Sequence, residues 1–284
     1  VALSLSKPGS EIFVPDGMEP AKALSRTTHL GVGAHPDDLE ILAIHGIVEC
    51  FSSDDDWFTG VVVTDGAGSP TPGDGPSVSP QEIVTRRRAE QKRAAELGRY
   101  GALVLFNHSS ADVKDVTEPA VVRDLAAVLR ATSPGVVYTH NLADAHDTHV
   151  AVALAVVAAC RSLEEAERPR RVIGCEVWRD LDWLEASAKV AMPVDRHEEL
   201  EAGLIRAFES QLEAGKRLDT GAIGRRRANA TFHEIRKADG NEGIVWGMDL
   251  GPAVRGEVEP AELVKAHVRA FESDLERRLR RFAR

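Results

Sequence analysis

The chain has 284 residues and carries 45 acidic against 35 basic side chains, a formal net charge of -10. That balance argues against a general nucleic-acid binder, which shows a basic footprint, and no apolar stretch is long enough to cross a bilayer. Hydrophobic content of 43% with 28% charged residues suits a soluble globular chain with a sizeable core.

The first strand is the apolar run His29-Leu30-Gly31-Val32-Gly33, and Glu40 to Val48 reads as a largely buried helix. A second strand covers Trp57–Thr64. A Gly, Ser and Pro-rich loop follows from Asp65 to Pro80, expected to move and to close over substrate. Gln81–Leu97 is a long charged helix with Gly98 as its C-cap. Strands at Ala102–Phe106, Gly135–Thr139 and Val172–Trp178 alternate with helices at Pro119–Arg130 and Asp147–Leu163. Two further helices are expected at Glu198–Leu218 and Pro260–Arg284, the second an exposed amphipathic helix with homo-oligomer packing as a secondary reading.

Continuous apolar strands alternating with helices indicate an α/β fold, a Rossmann-like, mainly parallel sheet covered on both faces. One domain is expected over 1–284, with a core at about 28–218 and a C-terminal helical extension at about 219–284. Cys50, Cys160 and Cys175 form no CxxC pair and read as reduced, buried thiols. With no basic segment and apolar h-region at the start, the expected location is cytoplasmic.

Two segments carry the chemistry. Ala34-His35-Pro36-Asp37-Asp38-Leu39-Glu40 packs a histidine and three carboxylates directly after a strand, where acids are costly to gather unless a cation neutralises them. Thr139-His140-Asn141-Leu142-Ala143-Asp144-Ala145-His146-Asp147-Thr148-His149 sits at the end of another strand and opens a helix. Strand ends on one edge of an open sheet are where ligand sites gather, so the two segments can converge. A two-histidine, one-carboxylate set is a common shell for a divalent metal that leaves positions open. Glu40 and Asp144 are candidates to orient histidines from behind.

The first segment resembles the AHPDDxE motif of the LmbE-like deacetylases, also called the PIG-L family. The second is similar to that family's THNPxDxHPDH stretch. Arg87-Arg88-Ala89-Glu90 with Ala94-Ala95 and Leu97-Gly98 resembles its RxxE…AA…LG helix, and Ser210-Gln211 its HxSQ segment. The resemblance runs from about Thr28 to Gln211. It implies an enzyme, a zinc-dependent hydrolase that removes an N-acyl group, acetyl by default, from an N-acetylglucosamine-type sugar or glycoconjugate. It also implies His35, Asp38 and His149 as ligands of Zn2+, with Fe2+ or another divalent ion as alternatives. Asp37 would be the general base and His146 the group that supports the oxyanion or passes a proton to the amine. Arg87 would contact sugar hydroxyls.

Two departures stand out: Thr148 replaces the aspartate of HPDH, and His45, expected to narrow the cavity floor, adds bulk where the family is glycine-rich. They keep open a catalytically silent metal or carbohydrate binder beside the alternative of a thiol-sugar S-conjugate amidase. His108, at the end of the third strand, and His140 are weighed as further site residues against structural roles, and Arg225-Arg226-Arg227 as a contact for an anionic or sugar-rich substrate against a solvated helix face, the latter slightly favoured.

Overall fold

The computed structural model describes residues 3–68, 79–195, 197–213, 215–233 and 240–283. Eight strands form one sheet: β1 (Glu11–Phe13), β2 (His29–Gly33), β3 (Phe58–Thr64), β4 (Ala102–His108), β5 (Val136–His140), β6 (Arg171–Cys175), β7 (Lys189–Pro193) and β8 (Ile244–Asp249). Their order is β1-β4-β3-β2-β5-β6-β8-β7. The five central strands, β4 to β6, are parallel, and β1, β8 and β7 pair antiparallel at the two edges.

Residues of β3 alternate between two hydrophobic clusters: Val61 and Val63 face one, Val62 the other. The first cluster takes in the helices Ala120–Thr132 and Asp147–Arg161, the second the helices Ile44–Phe51 and Pro80–Leu97. Burial on both faces is why these strands read as continuous apolar runs.

The chain runs outward from β2 to β3 and β4, then returns to place β5 against the free side of β2. That reversal opens a crevice beyond the carboxyl ends of β2 and β5. Gly33 lets the chain fold back there, since a Cβ at this position would lie 3.0 Å from the Asp38 Cβ.

Several elements differ from expectation. The helix after β2 is two pieces, Leu39–Leu42 and Ile44–Phe51, broken at Ala43. The expected helix over 198–218 stops at Arg206 and resumes at Glu209–Glu213. There the Ser210 N–H and hydroxyl donate to the Glu90 carboxylate at 2.8 and 2.6 Å. Strands β1, β7 and β8 fall where no element was expected, and the helix carrying Arg225–Arg227 spans Leu218–Thr231. The C-terminal helix is present as Pro260–Phe282.

Candidate functional site

A cavity of about 350 Å³ occupies the crevice, and its lining includes His35, Asp37, Asp38, Arg87 and His146. All six residues expected to act lie in or beside it, the sixth being His149, buried directly behind His35.

The first segment leaves β2 and turns sharply. Asp37 adopts φ +96° and its N–H donates to the Gln91 side-chain carbonyl at 3.2 Å. Asp38 precedes the helix Leu39–Leu42 without capping it, because its carboxylate turns back toward the strand end. Its Oδ2 accepts the His35 N–H at 2.7 Å and lies 3.2 Å from His35 Nδ1 and 3.4 Å from His149 Nε2. His35 Nδ1 and His149 Nε2 are themselves 3.2 Å apart. Burial opposes the charge on Asp38, but His149, His140 and His35 outweigh it and hold the carboxyl well below its ordinary range. For Asp37, burial and the adjacent Asp38 charge act together and push the carboxyl up to about 8.

The second segment begins at the end of β5. His140 Nε2 accepts the Ala34 N–H at 2.9 Å, and a backbone N–H can only donate, so the ring proton belongs on Nδ1. Burial, reinforced by His149, pushes His140 down to about 4. Asp144 accepts the N–H groups of His146 and Trp178 at 3.0 and 3.1 Å, and its Oδ1 lies 3.5 Å from His149 Nδ1. His146 is the N-cap of the helix Asp147–Arg161, its Nδ1 accepting the Thr148 N–H at 3.2 Å. Nδ1 is therefore the acceptor, and the neutral ring carries its proton on Nε2.

Three donor atoms, His35 Nδ1, Asp38 Oδ2 and His149 Nε2, thus lie 3.2 to 3.4 Å from one another in a buried corner. Zinc bonds of about 2.0–2.2 Å in tetrahedral array set ligand atoms roughly 3.3–3.6 Å apart, so the chain's own atoms fit such an ion. Two overlapping groups, His35 with His146 and His149, and Asp38 with His140 and His149, are also compact enough to hold a metal. His140 offers its Nε2 lone pair to Ala34, which favours His35 in its place.

Arg87 is buried on the helix Pro80–Leu97 and donates Nη1 to Gly66 O at 3.1 Å. His45 turns away from the cavity, bonding Pro193 O at 2.8 Å and meeting Tyr138 edge-on, so it narrows nothing there. His108 pairs with Asp124 at 3.0 Å, in full burial, and is structural. Glu40 reaches no histidine; it accepts from Gln91 Nε2 at 2.8 Å and the Tyr100 hydroxyl at 2.7 Å. The basic run is not a solvated face: Arg226 is buried against Glu201 at 2.6 Å, and Arg225 lines the cavity. Of the loop expected to close over substrate, residues 69–78 lie outside the described residues.

Sequence reasoning missed Gln91, Glu176, Trp178 and Lys216 as neighbours of the site. Gln91 was within reach, four residues after Arg87 on one helix face. The other three come from segments whose placement depends on β6 and β8.

Residues 30–160 match the family described as PIG-L: GlcNAc-PI de-N-acetylase. No curated protein matches the chain. Among solved structures, the N,N'-diacetylchitobiose deacetylase from Pyrococcus horikoshii is similar, with TM-score 0.58 and 18% identity over 78% of this chain and 83% of that one. The 4-carboxy-2-hydroxymuconate hydratase GalB from Pseudomonas putida KT2440 has TM-score 0.61 and 17% identity, over 80% and 97%. A deacetylase of teicoplanin biosynthesis has TM-score 0.55 and 16% identity, over 78% and 97%. At these identities the structural likeness shows the fold.

Proposed function

We propose, from the match of residues 30–160 to the PIG-L family, that the protein is a metal-dependent hydrolase removing an N-acyl group, acetyl by default, from an amino sugar or glycoconjugate. The observation that carries this reading is the buried corner where His35, Asp38 and His149 bring three donor atoms within 3.4 Å. Zinc is the default occupant, with ferrous iron accepted by the same donors. A divalent ion held there supplies Lewis acidity, polarising the amide carbonyl and making water a competent nucleophile near neutral pH.

The chain's own residues do the rest. Asp37, at the cavity wall beside the donor corner, accepts the proton of the attacking water. His146, with its proton on Nε2, donates a hydrogen bond to the carbonyl oxygen as negative charge develops. The proton taken up by Asp37 passes to the departing nitrogen, which leaves as the amine while the acyl group leaves as its carboxylate. Arg87 holds a hydroxyl of the sugar. Asp144 backs His149 and favours the tautomer whose Nε2 lone pair faces the corner. Thr148 supports His146 through its backbone N–H, a role that needs no aspartate side chain.

Two coarser readings belong here. Residues 1–284 are taken as one domain, a reading supported by β1 and β8 both bonding into the common sheet. Three buried free cysteines suit a reducing, cytoplasmic setting. Among the described residues no helix is long and apolar enough to cross a membrane.

Release of free amine from N-acetylglucosamine conjugates, measured with and without chelator, tests the proposal. Chelator-sensitive turnover lost in Asp37→Asn is expected. Chelator-insensitive turnover, or bound metal with no turnover on any N-acyl amino sugar, would overturn it. An S-conjugate amidase would show itself in the same assay by cleaving only thiol-sugar amides.

A further inference from the structure

The cavity has cationic lining as well as acidic. Besides the acids of its inner corner, it is lined by Lys216, Arg217, Arg225 and Trp178. Trp178 is 52% exposed, a large apolar surface left at the cavity wall, and the Lys216 ammonium lies 5.9 Å from its ring centroid. Lys216 and Arg225 form no ion pair with a described residue. Arg225 is anchored by one hydrogen bond, Nη1 to Val177 O at 2.6 Å, which aims the guanidinium without neutralising it.

The acid on which Arg225 acts, Glu176, is already engaged. Glu176 accepts from Leu181 N at 2.7 Å, Asn229 Nδ2 at 2.9 Å and Trp246 N at 3.1 Å, so its carboxylate is saturated by donors behind the wall. Lys216 is close enough for its charge to act on the Asp37 carboxyl, which places it toward the reacting end rather than in bulk solvent. Two half-buried cations on a cavity wall, neither in an ion pair with a described residue, favour a ligand that brings the opposite charge. The four residues come from two separate segments brought to one wall, beside the reacting corner.

We propose that Lys216 and Arg225, with the Trp178 indole beside them, form an anion subsite, and that the substrate carries a phosphate or carboxylate on the amine-bearing part. This inference rests on the hydrolase reading of the same cavity: the small acyl group lies in the donor corner, and the amine-bearing portion extends along the wall. An arginine fork and a lysine point charge suit either anion. The indole packs against the flat, apolar face of the ring that bears it.

Binding of products, which are not turned over, separates this proposal from the activity. Glucosamine, glucosamine 6-phosphate, glucosamine 1-phosphate and muramic acid are titrated calorimetrically into the metal-loaded protein. At least one anionic probe is expected to bind about tenfold more tightly than glucosamine, with the advantage shrinking as salt rises. The phosphate and carboxylate arms identify which anion the site takes. The advantage should fall in Lys216→Met and vanish in the Lys216→Met, Arg225→Met double variant, with thermal melting verifying that both are folded.

No anionic advantage, including no binding by any probe, overturns the subsite. So does an advantage that survives the double variant, since phosphate would then be binding the metal. Anion preference without any amide hydrolysis would sink the hydrolase reading and leave the subsite standing. Hydrolysis of neutral amides without anion preference would do the reverse.

Discussion

The side-chain carbonyl of Gln91 accepts the Asp37 N–H at 3.2 Å, at a position where the backbone holds φ +96°. Gln91 is itself fixed from behind, its Nε2 donating to Glu40 Oε1, which also accepts the Tyr100 hydroxyl. A buried chain of three side chains therefore holds a carboxylate in a conformation that L-residues avoid. Such strain costs on the order of 1–3 kcal/mol and persists only where the surroundings over-determine it.

Asp37→Gly should accordingly be more stable than Asp37→Ala by about 1 kcal/mol or more, reversing the usual order of those two residues. Urea denaturation of the two variants measures the difference. An alanine variant as stable as the glycine variant would mean that the turn is not strained.

Metal binding should stabilise the fold through the donor corner. At about 100 times Kd, a ligand specific for the folded state adds about 2.7 kcal/mol, readable as a rise in Tm on adding zinc and its loss with chelator. His149→Ala should abolish the response, whereas His140→Ala should keep it. The Nε2 of His140 is occupied by Ala34, so its contribution is packing against His149, ring to ring at 3.8 Å. Loss of the zinc response in His140→Ala alone would move the site to the Asp38, His140 and His149 group.

Glu40 gives the fold a pH dependence. Burial, despite hydrogen bonds that oppose it, raises its carboxyl from an ordinary 4.5 to about 7. Between those values the folded state binds the proton and the unfolded state does not, so stability should fall as pH rises through that window. At about 1.4 kcal/mol per pKa unit the loss amounts to about 3 kcal/mol. Glu40→Gln, which keeps an acceptor for Tyr100 and Gln91, should make the slope shallower, leaving the part that comes from Asp37, whose carboxyl is likewise raised, to about 8. Chelator is included in these melts because the charge on Asp38 contributes to the shift. An unchanged slope in Glu40→Gln would assign the dependence to another group.

The parallel half of the fold was legible because β2 to β6 are buried on both faces and read as apolar runs. β2 and the start of the helix at Asp147 fall where the sequence pattern places them. Strand β7, at the sheet edge, buries only Met192 of its five residues, and β1 is three residues long, so neither shows a periodic signal. That His35, Asp38 and His149 would come together was readable because histidines and acids are rare together at strand ends. The cationic lining was legible only in part: Arg225 could be weighed as an anion contact, but a solvated face was favoured, and Lys216 and Trp178 were missed until the packing of Leu218–Thr231 against β8 brought them to the crevice. His45 misled because residue size was read without direction. The neighbouring Gly46 carries the real constraint, since a Cβ there would lie 2.5 Å from Tyr138 Cε2.

His146 has two separable roles, and substitution can divide them. As N-cap it accepts the Thr148 N–H, a contribution worth about 1 kcal/mol of stability. In the proposed reaction it offers Nε2–H to the developing oxyanion, and burial together with His149 and His35 lowers its pKa, which favours the neutral ring with that proton in place. Removing one such donor costs about 10²–10³ in kcat. His146→Ala should lose both, whereas His146→Asn can cap the helix through its side-chain carbonyl but has too short a reach to meet the substrate. Stability should therefore return in the asparagine variant while kcat stays low and KM changes little. If His146→Asn recovers activity along with stability, the histidine acts only as a cap, and the proton donor must be sought elsewhere in the cavity.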